Sequence, residues 1–262
     1  MQPGVFSAKK KDGSIYFRAS FTFKGKHISL GSFSTEDDAA KAYKEALKLS
    51  TDSSLLAYDY NLSDYKLDYK KWITIVNFRD TGFYFKTPIL LKEKYFEYYL
   101  ECDNPLKFDV DDLFYYSTHS IMRRGGHYFV SDYGMQVNIL SRYGIKNFAV
   151  PGKDYIFVNG DNTDFRHTNI EIINHYNGVT RCAKNGIIYY ICKIHINGDY
   201  IVGKYKKETD AAIAYNKAVD ILTKKGIKIN YQKNYIDGFD STQYNNVYSD
   251  VSVSKKIRDY NP

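Results

Sequence analysis

The chain has 262 residues and a mass of 30.4 kDa, enough for about two domains of ordinary size, and 44% hydrophobic residues exclude disorder as a description of the whole. Thirty-seven Lys and Arg against 30 Asp and Glu leave a net charge of +7, compatible with a polyanionic partner but too small to name one. No apolar run approaches the roughly 20 residues that cross a bilayer, the first residues lack a signal-peptide core, and Cys102, Cys182 and Cys192 lack the spacing of a disulfide framework or Cys-rich zinc site.

In chain order, Val5 and Phe6 offer a first strand, closed by a Lys-rich turn at Asp12-Gly13. Phe17, Ala19, Phe21 and Phe23 then alternate with Arg18, Ser20, Thr22 and Lys24, and a period of two predicts a strand with one apolar and one polar face. Lys24-Gly25-Lys26 supplies a turn, and Ile28 and Leu30 continue on a return strand up to Gly31. Thr35 is placed as an N-cap, with Glu36, Asp37 and Asp38 in the first turn where the helix dipole favours them. Ala39, Ala40, Tyr43, Ala46 and Leu47 recur at helical spacing, so this helix covers the apolar face of a three-stranded antiparallel sheet. The other face gathers Lys9, Lys10, Lys11, Arg18, Ser20, Thr22, Lys24, Lys26 and His27. Singly each is a solvated side chain. Together they are what a ribbon needs to neutralise phosphates and reach base edges in a DNA groove.

Residues 51–84, rich in Tyr and Asp, read as a linker with one short helix and no nameable chemistry. Within 85–177, Arg123-Arg124-Gly125-Gly126 reads as a basic turn touching phosphate or as a solvated loop, and Arg142 and Arg166 are further cations. His119, His127, His167 and His175 are expected as surface residues rather than metal ligands, the last two on or near a terminal helix.

From Gly178 the opening stretch returns. Gly4-Val5 matches Gly178-Val179, Gly25 matches Gly198, Gly31 matches Gly203, and Ala39-Ala40-x-Ala42-Tyr43 matches Ala211-Ala212-x-Ala214-Tyr215. Residues 1–50 carry nine basic and five acidic side chains and residues 178–229 ten and four, so the positive excess belongs to the repeats. The second copy places Tyr189, Ile191, Lys193, His195 and Asn197 outward, with Arg181, Lys184, Lys204, Lys206 and Lys207 around them. Cys192 falls on the inward set with Tyr190, Ile194 and Ile196 and reads as a core residue. Residues 230–262 form a tail of Tyr, Asn, Ser and Asp without clear periodicity.

Both copies resemble the DNA-binding domain of plant ethylene-response factors, the Apetala-type domain also carried by many phage and bacterial nucleases. The shared signatures are the initial GV, the alternating strand, the Gly turn, Leu30-Gly31-Ser32-Phe33 with Val202-Gly203-Lys204-Tyr205, and the AA-x-AY helix. The resemblance implies a sheet docked in the major groove and backed by one helix. Where that family has Trp and several Arg on the reading strand, this chain keeps Arg18 but has Phe17, Ser20 and Thr22. The run Asn159-Gly160, Asp164-x-Arg166 and Asn169-Ile170, with Asn177 beyond, resembles an HNH endonuclease module. That resemblance implies a ββα-metal outline with a catalytic His and a metal carboxylate where this chain has Phe157 and Ile156, an Asn where it has Phe165, and Leu-His-Arg where it has Leu140-Ser141-Arg142.

The expected fold class is α+β: two small three-stranded antiparallel sheet plus helix modules (1–50 and 178–229) flanking a degenerate HNH-like middle (85–177), with a linker at 51–84 and a tail at 230–262. The expected protein is intracellular and DNA-associated, in a bacterial cytoplasm or, if viral, a host nucleus or cytoplasm. It prefers certain double-stranded DNA sequences, as a transcription regulator or accessory factor of a virus or mobile element. It has no membrane partner, no cofactor, no metal and no catalytic residue, its nuclease activity lost. The expected DNA-binding residues are the nine of the first copy, Arg181, Lys184, Tyr189, Lys193 and His195 of the second, and Arg123, Arg124, Arg142 and Arg166 of the middle. Two alternatives stand beside this reading: a site-specific HNH homing endonuclease with an unrecognised active site, and a protein-interaction adaptor using the Tyr-rich middle and tail.

Overall fold

The structure, a computed structural model, describes residues 2–61, 63–147 and 149–261. It is α+β and divides into two compact units, residues 1–143 with 157–170 and residues 144–156 with 171–262. These cut across the boundaries expected from sequence, because the middle segment contributes to both.

In the first unit, β1 (Val5–Lys9), β2 (Ile15–Phe23) and β3 (Lys26–Phe33) form an antiparallel sheet in that order, followed by α1 (Glu36–Thr51). Alternation does what the pattern predicts. Val5, Ala19, Phe21, Ile28 and Leu30 are buried with Ala39, Ala40, Ala42, Ala46 and Leu49, the alanines letting helix and sheet approach closely. Leu47, expected on the buried stripe, is exposed, and Leu49 takes that place. Thr35 Oγ1 accepts the Asp38 N–H at 3.1 Å, closing the expected N-cap.

Gly4 explains why the opening dipeptide and the helix tyrosine recur together. At φ +72° it stands so close to Tyr43 and Ser20 that a Cβ would lie 2.2 Å from the ring and 2.7 Å from the Ser20 carbonyl. Its own carbonyl accepts the Ser20 N–H at 3.0 Å.

The 51–84 segment is more than a linker. It contains α2 (Tyr69–Thr81), which buries every residue from Trp72 to Phe78 in the core of the first unit, with Trp72 Nε1 donating to Leu56 O at 3.0 Å. Asp68 caps its start and Gly82, in the left-handed conformation, its end. Beyond it β4 (Ile89–Leu91), β5 (Tyr95–Tyr98) and β6 (Leu106–Asp109) form a second three-stranded sheet. After the short α3 (Leu113–Thr118), β7 (Ile121–Arg124), β8 (His127–Asp132) and β9 (Met135–Asn138) form a third. The stacked rings of Phe96, Phe108 and Phe165 and the buried Tyr116 fill the space between elements.

Strands β10 (Tyr155–Phe157) and β11 (Ile170–Ile172) pair as a short ribbon. It is antiparallel, since Val158 N–H donates to Asn169 O and Ile173 N–H to Asp154 O. The terminal helix expected to carry His167 and His175 is replaced. His167 lies in a 3-10 turn and His175 in irregular chain, because Arg166 and Asn169 spend their polar groups closing a loop instead of starting a helix.

In the second unit β12 (Val179–Lys184), β13 (Ile187–His195) and β14 (Asp199–Tyr205) repeat the first sheet and α4 (Glu208–Lys224) repeats its helix. The correspondence extends to irregularity: the register shifts after Ala19 in one copy and after the equivalent Cys192 in the other. Gly178, at φ +72°, lies against Tyr215 as Gly4 lies against Tyr43. Cys192 is buried, and burial pushes its thiol up to about 12, as befits a core residue.

The tail folds back onto this unit. It carries α5 (Ser241–Asp250) and α6 (Lys255–Arg258), and Ile236, Val251, Val253 and Ile257 join the core under α4. Buried asparagines fasten it: Asn234 N–H donates to Asn216 Oδ1, and Asn216 Nδ2 returns to Asn234 O. No helix among the described residues is long and apolar enough to cross a membrane.

Candidate nucleic-acid interface

The open face of the first sheet is built by register. Arg18 on the central strand lies between Phe6 and Ser32, Ser20 opposite Ser29, and Thr22 opposite His27. Arg18, Thr22, Ser29 and His27 are exposed on the side away from α1. Arg18 is oriented: its Nη2 donates to Tyr16 Oη at 2.7 Å, and its guanidinium lies 5.4 Å from that ring's centroid. Lys9, Lys10 and Lys11 occupy the exposed end of the β1–β2 hairpin, whose tip is fixed by Asp12 accepting both the N–H and the hydroxyl of Ser14.

Two of the nine expected residues serve elsewhere. Lys24 Nζ donates to the carbonyls of Arg79 (2.9 Å) and Phe78 (3.4 Å), satisfying the C-terminal end of α2. Lys26 Nζ sits 5.1 Å from the centroid of the Tyr84 ring. Lys24 lies in the β2–β3 turn, where strand alternation no longer fixes direction and α2 offers it acceptors, whereas Lys26 opens β3 in register with Phe23, which packs on the core. Conversely, Phe6, 56% exposed beside Arg18, is part of the open face. The sequence held a signal for it, since adjacent Val5 and Phe6 cannot both point inward on one strand.

The second sheet's outer face is less charged. Ile191 pairs with Thr180 and Lys204, and Lys193 with Ile201; Tyr189, which pairs with Cys182, lies 5.8 Å by its ring centroid from Lys204 Nζ. His195 Nδ1 lies 3.0 Å from Asp199 Oδ1, and this hydrogen bond holds the Asp199 carboxyl below its usual range. Arg181 and Lys184 are exposed on the edge strand, Arg181 in register with the inward Tyr190.

No protein family, curated protein or solved structure matches this chain.

The middle arginines are placed by partners within the first unit. Arg123 Nη1 donates to Glu101 (2.9 Å) and Arg124 Nη1 to Gln136 (3.1 Å), both from the end of β7 rather than from a turn. Arg142 Nη2 donates to Asp112 at 2.5 Å with its guanidinium 4.0 Å from the Tyr115 ring centroid. Arg166 grips Asp164 with two bonds, Nε to Oδ1 (2.8 Å) and Nη2 to Oδ2 (2.5 Å). Asp164 is 0% exposed and also accepts from Asn159 Nδ2. Burial raises its pKa, but the Arg166 and Asn159 hydrogen bonds outweigh this and leave it below the usual range. Asn169 closes the loop by accepting the Asn159 N–H and donating to Asp164 O. Asp161, which accepts from Thr163 and from Lys107 Nζ, is pulled down to about 2, first by the Thr163 bond.

Thus the Asn159–Asn169 run is a hydrogen-bonded polar clasp. Phe157 and Phe165 beside it meet edge to face with centroids 5.7 Å apart. Among the described residues, no three His, Cys, Asp or Glu side chains converge as a group able to hold a metal ion.

Proposed function

We propose that this chain is a sequence-preferring double-stranded DNA-binding protein. Its reading surface is the open face of β1–β3, and the sheet of the second unit makes a weaker, less charged contact. One observation carries the reading: an exposed, Tyr16-oriented Arg18 at the centre of a sheet face bearing Ser20, Ser29, Thr22 and His27, with three lysines at the hairpin end. A sheet of this width suits the major groove, where Arg takes guanine in bidentate fashion and Ser and Thr accept either base. The likeness of both repeats to ethylene-response-factor domains supports the same docking. In this reading the middle segment serves as a scaffold in which the β10–β11 ribbon is not followed by the helix of a ββα nuclease module. Phe157 and Phe165 packed on each other supply no proton acceptor where such an enzyme needs one. The protein would then act as a transcription regulator or an accessory factor of a virus or mobile element.

Selection from random duplexes followed by gel-shift across salt tests this. An enriched motif is expected, with affinity falling as salt rises. Arg18→Glu should cost about 1–3 kcal/mol of binding to that motif. Lys24→Gln, on a residue spent on α2, should change binding far less. No enrichment and no salt dependence would remove the proposal.

A further inference from the structure

Among the described residues, four hairpins turn on two residues that both have positive φ. They are Lys24-Gly25 (+45° and +74°), Gly125-Gly126 (+57° and +80°), Tyr133-Gly134 (+46° and +78°) and Asn185-Gly186 (+52° and +76°). Such a turn matches the twist of the strands it joins, and glycine or asparagine fills its first position with least strain. Gly125 and Asn185 follow that rule. Lys24 breaks it, and its ammonium offsets the cost by satisfying the end of α2. Tyr133 breaks it as well, yet it is 97% exposed and makes no hydrogen bond, ion pair or ring contact with the other described residues. A bulky side chain is strongly disfavoured in the left-handed region, so strain kept here without a contact points to a role outside the fold.

The surroundings say what the ring meets. Asp132 and Met135 close the turn, and Ser131 pairs with Gln136 one rung below. Met135 is 65% exposed, so the tip carries two bare apolar side chains. Gln136 Oε1 accepts from Arg124 Nη1 at 3.1 Å, which brings a guanidinium to the rung under the tip. The acid of the turn is occupied within the fold: Asp132 accepts the Tyr115 hydroxyl at 3.2 Å and lies 3.6 Å from His119 Nε2. A flat ring with a cation close by suits a nucleotide, since aromatic stacking accepts any base face while a guanidinium answers the phosphate. Two apolar side chains on one turn fall far short of the area that a stable protein interface buries.

We infer that Tyr133 is a stacking probe, its ring laid on an unpaired or opened nucleobase of the DNA that the chain binds. The inference rests on the DNA-binding reading but on a different element from β1–β3, so the two can fail separately.

The tests use the full chain. Tyr133→Asn gives the turn the residue that the β12–β13 hairpin already uses. Its melting temperature should rise by about 2–4 °C, since strain is relieved and no contact is lost. A fall would show that the ring stabilises the fold and would overturn the inference. Binding is read by fluorescence anisotropy at low salt, on a duplex with one unpaired base and on its fully paired counterpart. The wild type should bind the first about tenfold more tightly than Tyr133→Asn does, and about threefold more tightly than it binds the paired duplex, a preference the variant lacks. Tyr133→Trp should keep the affinity, and its added indole should be quenched as the duplex saturates it, over the constant background of buried Trp72. Equal affinity of wild type and Tyr133→Asn, with no quenching of the indole, overturns the inference; the β1–β3 reading then stands if Arg18→Glu still weakens binding. Weakening by Tyr133→Asn but not by Arg18→Glu keeps the probe and removes the β1–β3 reading. A wild type that binds no DNA removes both. Self-association of the wild type that Tyr133→Asn abolishes, with DNA affinity unchanged, gives the tip to a second copy of the chain and likewise overturns the inference.

Discussion

Gly178→Ala is expected to destabilise the second unit by about 2–4 kcal/mol, the sum of a left-handed backbone cost and a steric one. Its φ of +72° is strained for any L side chain, and a Cβ there would lie 2.3 Å from Lys193 O and 2.4 Å from the Tyr215 ring. The carbonyl cannot retreat, because the Gly178 carbonyl accepts the Lys193 N–H at 2.7 Å and locks the two backbones together. Gly186 provides the control. It has a φ of +76° with nothing within 4 Å of its would-be Cβ, so Gly186→Ala carries only the backbone cost of about 1–2 kcal/mol. Urea denaturation followed by far-ultraviolet circular dichroism, with Trp72 fluorescence reporting the first unit separately, would compare the two. Equal losses at both positions would mean that the Gly–Tyr contact is not what makes the repeat's opening dipeptide necessary.

That contact also shows what a sequence makes legible. The two sheets follow from a period of two, the helices on them from Ala-rich stripes with acidic first turns, and the repeat from matched glycines. All of this is local pattern acting through local geometry. One short helix is expected in 51–84, but the length and burial of α2 escaped the same reasoning for a physical cause. The helix buries seven consecutive residues, Trp72 to Phe78, so no polar face exists to generate a 3.6-residue period. The tail escaped because α5 has no buried residue to mark a stripe, the apolar residues that seat it, Ile236, Val251, Val253 and Ile257, are scattered without a period, and the buried Asn216–Asn234 exchange that fastens it joins residues eighteen apart. On the candidate face, alternation put Arg18, Thr22 and His27 on the exposed side, where the structure has them, with Ser20 half-buried between them. Lys24, in the turn, is directed by α2, and Lys26, in register with Phe23 and off the open face, meets the Tyr84 ring, both partners more than fifty residues away in sequence.

The polar clasp of the middle segment offers the second large effect. Asp164→Ala strips the acceptor from Arg166 and Asn159 at once, in a site where the carboxylate is fully buried and Arg166 is about one-third exposed. Breaking a buried pair from one side costs about 3–5 kcal/mol. The partial exposure of Arg166 lets water replace some of what is lost, so about 2–3 kcal/mol is expected for the first unit. Trp72, the single tryptophan of the chain and buried in that unit, reports the transition. The pH dependence has a fixed sign. Asp164 and Asp161 both have carboxyls depressed in the folded chain, Asp161 to about 2, so their contribution is complete above the ordinary carboxylate range near 4. It declines as pH falls from there through each folded pKa, which for Asp161 is about 2. The gap between wild type and Asp164→Ala should therefore be widest near neutrality and narrow steadily below pH 4. A gap that stayed constant down to pH 2 would show that the variant's loss comes from repacking, with the Arg166 ion pair contributing nothing.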